Sequence, residues 1–226
     1  MNSINKKLDY IDNPKDTYQQ YLEKALKYNV RAIFAKPNEF DLASEILADS
    51  DIIIAGAIDF PKGVMSIDQK LETFQLYSQY PYQEIDYVLN QHNIENKNFN
   101  LIHEEMLLIH DFCLEHNIRE KVIVEMCKLE NDTEAKLKII EIANKIQPAF
   151  LKTSSGRSFK GAQIEDVILM KQNLSSKIKI KASGGIKTYV DALKFIQAGA
   201  DVIGASAALK IIDESILFND LETDLN

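Results

Sequence analysis

The chain has 226 residues, of which 46% are hydrophobic and 27% charged, with a formal net charge of −8. That size predicts one domain with a sizeable core and excludes disordered and fibrous classes, while the acidic balance argues against general nucleic-acid binding but leaves a small anionic substrate open. No apolar run is long enough to span a bilayer and the start, MNSINKKLDY, lacks the apolar core of a signal peptide, so no membrane association and a cytoplasmic location are expected.

Short apolar segments alternate with amphipathic ones along the chain. Residues 7–11 (KLDYI) form a weak first strand, broken by Asn13 and Pro14. Asp16 stands as N-cap of a helix whose Tyr21, Leu22, Ala25 and Leu26 share one face, ending near Asn29. Strand 30–35 is apolar apart from Arg31 and is closed by Pro37. Leu42, Ala43, Ile46 and Leu47 suggest a short helix, and 51–58 the next strand, stopped by Phe60, Pro61 and Gly63. Ser66 and Gln69 have capping-box spacing ahead of a helix with Ile67, Leu71 and Phe74. The pattern then predicts strand 84–89 (EIDYVL), a helix over 97–117, strand 121–126, helix 132–146, strand 149–152, helix 163–172, strand 177–182, helix 188–198, strand 201–205 and helix 206–212. An acidic tail, 213–226, is expected to be loosely held. Eight strands alternating with helices, in a chain near the roughly 250 residues of such folds, predict a TIM (β/α)8 barrel of the α/β class, a single domain over residues 1–226. The competing doubly wound sheet lacks its dinucleotide fingerprint here.

Two strands end on lysines. Residues 149–161 read AFLKTSSGRSFKG, placing Lys152 at a strand end, and residues 178–186 read IKIKASGGI, placing Lys181 likewise. In a parallel barrel both lie at the carboxyl rim, where chemistry collects. A free lysine titrates near ~10.4 and an amine that attacks a carbonyl works best near ~7–8, so two crowded, poorly hydrated lysines predict Schiff-base chemistry. Asp86, inside an apolar strand, would face them as a proton-transfer carboxylate; Glu125 and Glu84 are rivals, with Glu84 expected to be remote. Gly184 and Gly185 before one helix, and Gly204 and Ser206 before the next, suit a phosphate held by backbone N–H groups, with Gly156, Arg157 and Lys160 adding to the site from the loop after Lys152. Each feature has a plain structural counterpart: a snorkelling lysine, an ion pair inside the barrel, a tight βα turn. Cys113 continues the apolar helical series Ile102, Met106 and Ile109, Cys127 is expected to pack near the site, and His103 and His110 are expected on a solvent-exposed helix face. Neither residue type has a metal-binding spacing.

Together, FLKTSSG, KASGGIKT with DAL, AGAD and IGAS, and EIDYVLN resemble the deoxyribose-phosphate aldolase family, in register from about Val30 to Leu209. The resemblance implies a class I aldolase that reversibly cleaves 2-deoxyribose 5-phosphate to glyceraldehyde 3-phosphate and acetaldehyde, with no metal and no cofactor, as a homodimer. By the family's motifs Lys152 is the Schiff-base lysine, Lys181 the lysine that tunes it and Asp86 the proton-transfer carboxylate, while Gly184, Gly185 and Ser206, assisted by Gly156, hold the phosphate. The sequence departs from the pattern at several places. Only Asp9 remains of the threonine-bearing segment on the first strand, and Phe34 and Lys36 stand where a cysteine and an asparagine are common. Asp59 replaces a frequent glycine before Phe60 and Pro61, and the tail has no tyrosine. These departures keep open an aldolase for another phosphorylated sugar, or a sugar-phosphate-binding barrel without turnover.

Overall fold

The computed structural model describes residues 3–12 and 14–224. Eight parallel strands close in chain order: β1 (Leu8–Tyr10), β2 (Ala32–Phe34), β3 (Ile53–Ile58), β4 (Glu84–Val88), β5 (Arg119–Ile123), β6 (Phe150–Lys152), β7 (Lys179–Ser183) and β8 (Val202–Ala205). The weak first strand completes the ring, with Asp9 in register with both Ala32 of β2 and Gly204 of β8. Around it lie α1 (Tyr18–Tyr28), α2 (Phe40–Ile46), α3 (Ile67–Tyr77), α4 (Gln91–Glu95), α5 (Phe99–Glu115), α6 (Thr133–Ile146), α7 (Ile164–Asn173), α8 (Tyr189–Ala198) and α9 (Ala208–Asp224). The barrel predicted from the alternation is therefore the fold. Asn13, part of the expected break, lies outside the described residues, as do Leu225 and Asn226.

Local chemistry sets most helix ends. In α3, Ser66 accepts from the Gln69 amide (3.3 Å) and the Gln69 side chain from the Ser66 amide (2.9 Å), the predicted capping box. The start of α1 differs from expectation: Thr17, not Asp16, forms the box with Gln20, because Asp16 is engaged by Lys24 at 2.7 Å. Asn29 (φ 48°) and Gly199 (φ 118°) end α1 and α8 in left-handed backbone. Ile102, Met106, Ile109 and Cys113 of α5 are fully buried against the barrel wall, each worth roughly 1.5–3 kcal/mol relative to exposure. His110 on the same helix is half-buried rather than exposed. Its ring meets Glu120 at 2.6 Å, and that hydrogen bond raises its pKa.

Two further elements depart from the sequence reading. Capped by Asn90, α4 occupies a stretch read as connection, because five residues are too few to display a helical period. The last helix does not stop at 212 but runs to Asp224. Ala208, Ile211, Ile212 and Ser215 are buried at helical spacing, and Glu214 of the supposed acidic tail accepts from the Tyr189 amide at 2.7 Å, tying α9 to the start of α8. Among the described residues no helix is long and apolar enough to cross a membrane.

Candidate active site

The side-chain period of two in a strand puts Glu84 and Asp86 on one face of β4, Phe150 and Lys152 on one face of β6, and Lys179 and Lys181 on one face of β7. Asp86 is fully buried in the barrel, and its Oδ2 accepts from both Lys152 Nζ (2.7 Å) and Lys181 Nζ (2.8 Å). The two rim lysines thus converge on a single carboxylate oxygen. Asp86 Oδ1 accepts from a third lysine, Lys121 of β5, at 2.8 Å. Lys181 also pairs with Asp9 Oδ2 at 2.6 Å, and Lys121 with Glu84 Oε2 at 2.7 Å. Arg31 closes the lower end of this network through Asp9 and Glu84. Glu84, expected to be remote, is instead buried at its foot, where the half-exposed Arg119 also reaches it.

Charge bookkeeping singles out one amine. Asp9, Glu84 and Asp86 are matched by the partly buried Arg31 and the buried Lys121 and Lys181, so a protonated Lys152 would be a surplus cation in a dry interior. Burial, with the Lys181 cation behind it, brings Lys152 down to about 8 from its ordinary 10.5, although Asp86 pulls the other way. Both causes expected from crowded, poorly hydrated lysines act here, with desolvation the larger. Burial alone would raise Asp86, but Lys121, Lys152 and Lys181 outweigh it and hold the carboxyl well below the usual range. Burial would likewise lower Lys121, yet Asp86, Glu84 and Asp9 keep it above its ordinary value. The cluster therefore offers an ionised acid, fixed cations and one amine close to neutrality.

Lys152 and Asp86 open into a cavity of about 360 Å³ whose wall includes Ile11, Phe34, Phe60 and Arg157. The Phe60 ring centre lies 5.6 Å from Lys152 Nζ and that of Phe34 5.0 Å from Lys181 Nζ, so aromatic faces cover both amines. At the mouth Arg157 pairs with Asp12 at 3.2 Å, whereas Lys160 turns to Glu130 on the surface. Glu125 fastens the loop after β6, accepting from the Ser155 amide (2.8 Å) and Ser158 Oγ (3.0 Å). Cys127 is buried and donates to the Lys160 carbonyl, its thiol pushed up to about 11 chiefly by burial. Among the described residues no group of three or more His, Cys, Asp and Glu is placed to hold a metal ion.

The predicted phosphate residues separate into two groups. Gly156 (φ 74°) and Gly184 (φ 93°) bring the loops after β6 and β7 into backbone contact, since a Cβ on either would stand 2.5 Å from the other's Cα. Gly185 (φ 80°) next to them faces open space, and Ser206 is exposed between β8 and α9. Gly204 belongs elsewhere: it lies inside β8, where a Cβ would press on Ser183 Oγ (2.6 Å) and Lys181 Cε (3.0 Å). Its missing side chain makes room for Lys181.

Relatives that align with nearly the whole chain share a name. The deoxyribose-phosphate aldolase of Lactobacillus acidophilus is 36% identical over 89% of this chain and 84% of its own length. That of Natranaerobius thermophilus is 34% identical over 94% of this chain and 97% of its own. The chain belongs to the deoxyribose-phosphate aldolase family. Among solved structures, QR15, described as an aldolase, is 27% identical with a TM-score of 0.84, covering 98% of this chain and 99% of that one. A family model described as dihydroorotate dehydrogenase matches residues 109–226, the portion of the barrel from α5 onward. The aldolase relatives, by contrast, align across both halves.

The sequence points to two lysines and Asp86, with Glu84 a rival carboxylate; the structure adds Lys121 and Arg31 and brings Glu84 into the same network. A signal for Lys121 was present. It is directly in register with Asp86 on the neighbouring strand, so an inward Asp86 requires an inward Lys121.

Proposed function

We propose that this chain is a Schiff-base aldolase that reversibly cleaves 2-deoxyribose 5-phosphate to glyceraldehyde 3-phosphate and acetaldehyde. The observation that carries the proposal is the buried Lys152, brought down to about 8, beside an ionised Asp86 at the floor of a cavity. Neutral Lys152 attacks the substrate aldehyde carbon, and loss of water leaves an iminium that draws in the electrons of the bond between the second and third sugar carbons, leaving an enamine. Asp86, through water, takes the proton of the hydroxyl on the third sugar carbon, whose oxygen becomes the carbonyl of glyceraldehyde 3-phosphate as that bond breaks. Lys181, held between Asp86 and Asp9, supplies charge and returns a proton to the enamine carbon. Hydrolysis of the resulting imine frees acetaldehyde and restores the amine.

Gly156, Gly184 and Gly185 hold the phosphate by backbone amides at the loops after β6 and β7, together with Ser206 before α9, and Arg157 stands near enough to add charge. Phe34 and Lys36, both in the cavity wall, favour keeping a second reading in which a different phosphorylated sugar is the preferred substrate. One domain carries the whole activity in the cytoplasm, and the resemblance supports a homodimer, which sedimentation velocity tests directly. The function itself is tested by acetaldehyde release from a panel of phosphorylated sugars. Release that is fastest from 2-deoxyribose 5-phosphate is expected; tight calorimetric binding of that sugar with no acetaldehyde would leave a binding protein instead.

A further inference from the structure

A further buried cation lies outside the barrel interior. Lys70 of α3 is fully buried, and its ammonium sits between two carboxylates, 3.3 Å from Asp59 Oδ2 and hydrogen-bonded to Glu105 of α5. Asp59 leaves β3 in left-handed backbone (φ 54°), a conformation aspartate tolerates better than most residues and one that accounts for a glycine being suited there. Its two side-chain oxygens accept from the amides of Val64 (3.0 Å) and Met65 (2.9 Å), and its carbonyl from Gly63 (2.9 Å), closing loop 59–65 on itself. Both oxygens of Glu105 accept from the Asn90 amide (3.1 and 3.0 Å), and Asn90 Nδ2 donates to the Met65 carbonyl (3.1 Å). Lys70 thereby bolts the loop leaving β3 to the loop leaving β4.

The residue after Asp59 is Phe60, whose ring lines the cavity 5.6 Å from Lys152 Nζ. Phe34, Ala57, Asp86 and Lys152 in the wall belong to barrel strands and are fixed by the sheet, whereas Phe60 hangs on this loop. We propose that Lys70 and Asp59 are positioning residues that hold the Phe60 ring against Lys152 and so keep water from the reacting nitrogen. The inference rests on the reading of Lys152 as nucleophile. An ammonium and two carboxylates are costly to take out of water unless paired, and here Lys70 pairs with both carboxylates. The charged groups facing Lys152 are Asp86 from β4, Lys121 from β5 and Lys181 from β7, with Asp9 of β1 behind Lys181 and Arg157 at the cavity mouth. None of them belongs to loop 59–65. A change in that loop therefore acts on Lys152 through its hydration and not through a lost charge partner.

The test follows the extent of reductive trapping of 2-deoxyribose 5-phosphate on Lys152 by cyanoborohydride as a function of pH, read by peptide mass. Asp59→Asn, Lys70→Met and Phe60→Leu are each expected to move the midpoint upward by about one pH unit, because a wetter ammonium holds its proton longer. The double variant Lys70→Met with Phe60→Leu is expected to shift no further than either alone. Asp59→Asn keeps the Lys70 to Glu105 pair, so it decides the matter even where Lys70→Met does not fold. Folded Asp59→Asn and Phe60→Leu proteins with the parent's midpoint and only a lowered Tm would overturn the proposal, as would additive shifts in the double variant. A parent protein that is not labelled on Lys152 would instead remove the assignment of the nucleophile.

Discussion

In the proposed mechanism Lys152 serves as nucleophile because it is the cation the barrel does not need. With three buried carboxylates already matched, the cheapest way to keep its amine in a dry site is to release the proton, and burial drives it toward about 8. Schiff-base formation should therefore rise with pH through about 8 and level off above it, as single-turnover trapping over a pH series would show. Lys121→Met tests the same balance from the other side. It leaves Asp86 and Glu84 short of a partner, and breaking a buried ion pair in this way is expected to cost about 3–5 kcal/mol in urea titration. Lys152 then becomes the counterion that Asp86 lacks, so its trapping midpoint is expected to move upward, whereas an unchanged midpoint would mean that the network does not set the amine's charge.

At the level of elements, the loops after β6 and β7 depend on two glycines that touch. Gly184→Ala puts a Cβ 2.5 Å from the Gly156 Cα in a left-handed backbone, so the proposed phosphate cradle must open; KM for a phosphorylated substrate is expected to rise tenfold or more, about 1.4 kcal/mol, with a smaller effect on a substrate lacking the phosphate. Equal losses on both substrates would place the phosphate elsewhere. Much of this arrangement was legible in the chain, because βα alternation, the Ser66–Gln69 box and lysines at two strand ends are local signals. Lys121 was harder to see, since its inward direction follows from register with Asp86 on β4, whereas Glu84 shares the face of Asp86 by the period of two but its position at the strand start made it look remote. Gly204 carried an ambiguous signal: a glycine before a helix reads as an anion turn, yet here it is a strand residue that leaves space for Lys181. The length of α9 was masked by acidic residues, of which Glu214 caps the neighbouring helix.

For the molecule as a whole, the buried network ties stability to pH at both ends of the range. Asp86 and Asp9 are held below the ordinary carboxylate value of 3.8, Asp86 by Lys121, Lys152 and Lys181 and Asp9 by Lys181 and Arg31, in each case against burial. The stability they contribute is present above pH 3.8 and is lost as the pH falls below it, because the unfolded chain takes up those protons first. Lys152 acts in the alkaline range. Its pKa is about 8 folded and 10.5 unfolded, so between those values the unfolded chain binds more protons and this group makes stability rise with pH. Urea titrations at pH 7.5 and 9.5 should show that rise in the parent and a smaller one in Lys152→Met; equal slopes would deny Lys152 its lowered pKa. The most direct measurement is borohydride reduction of the protein incubated with 2-deoxyribose 5-phosphate, followed by peptide mapping. The adduct is expected on Lys152 and absent in Lys152→Ala, while an adduct on Lys181 or Lys121, or none on any lysine, would contradict the account.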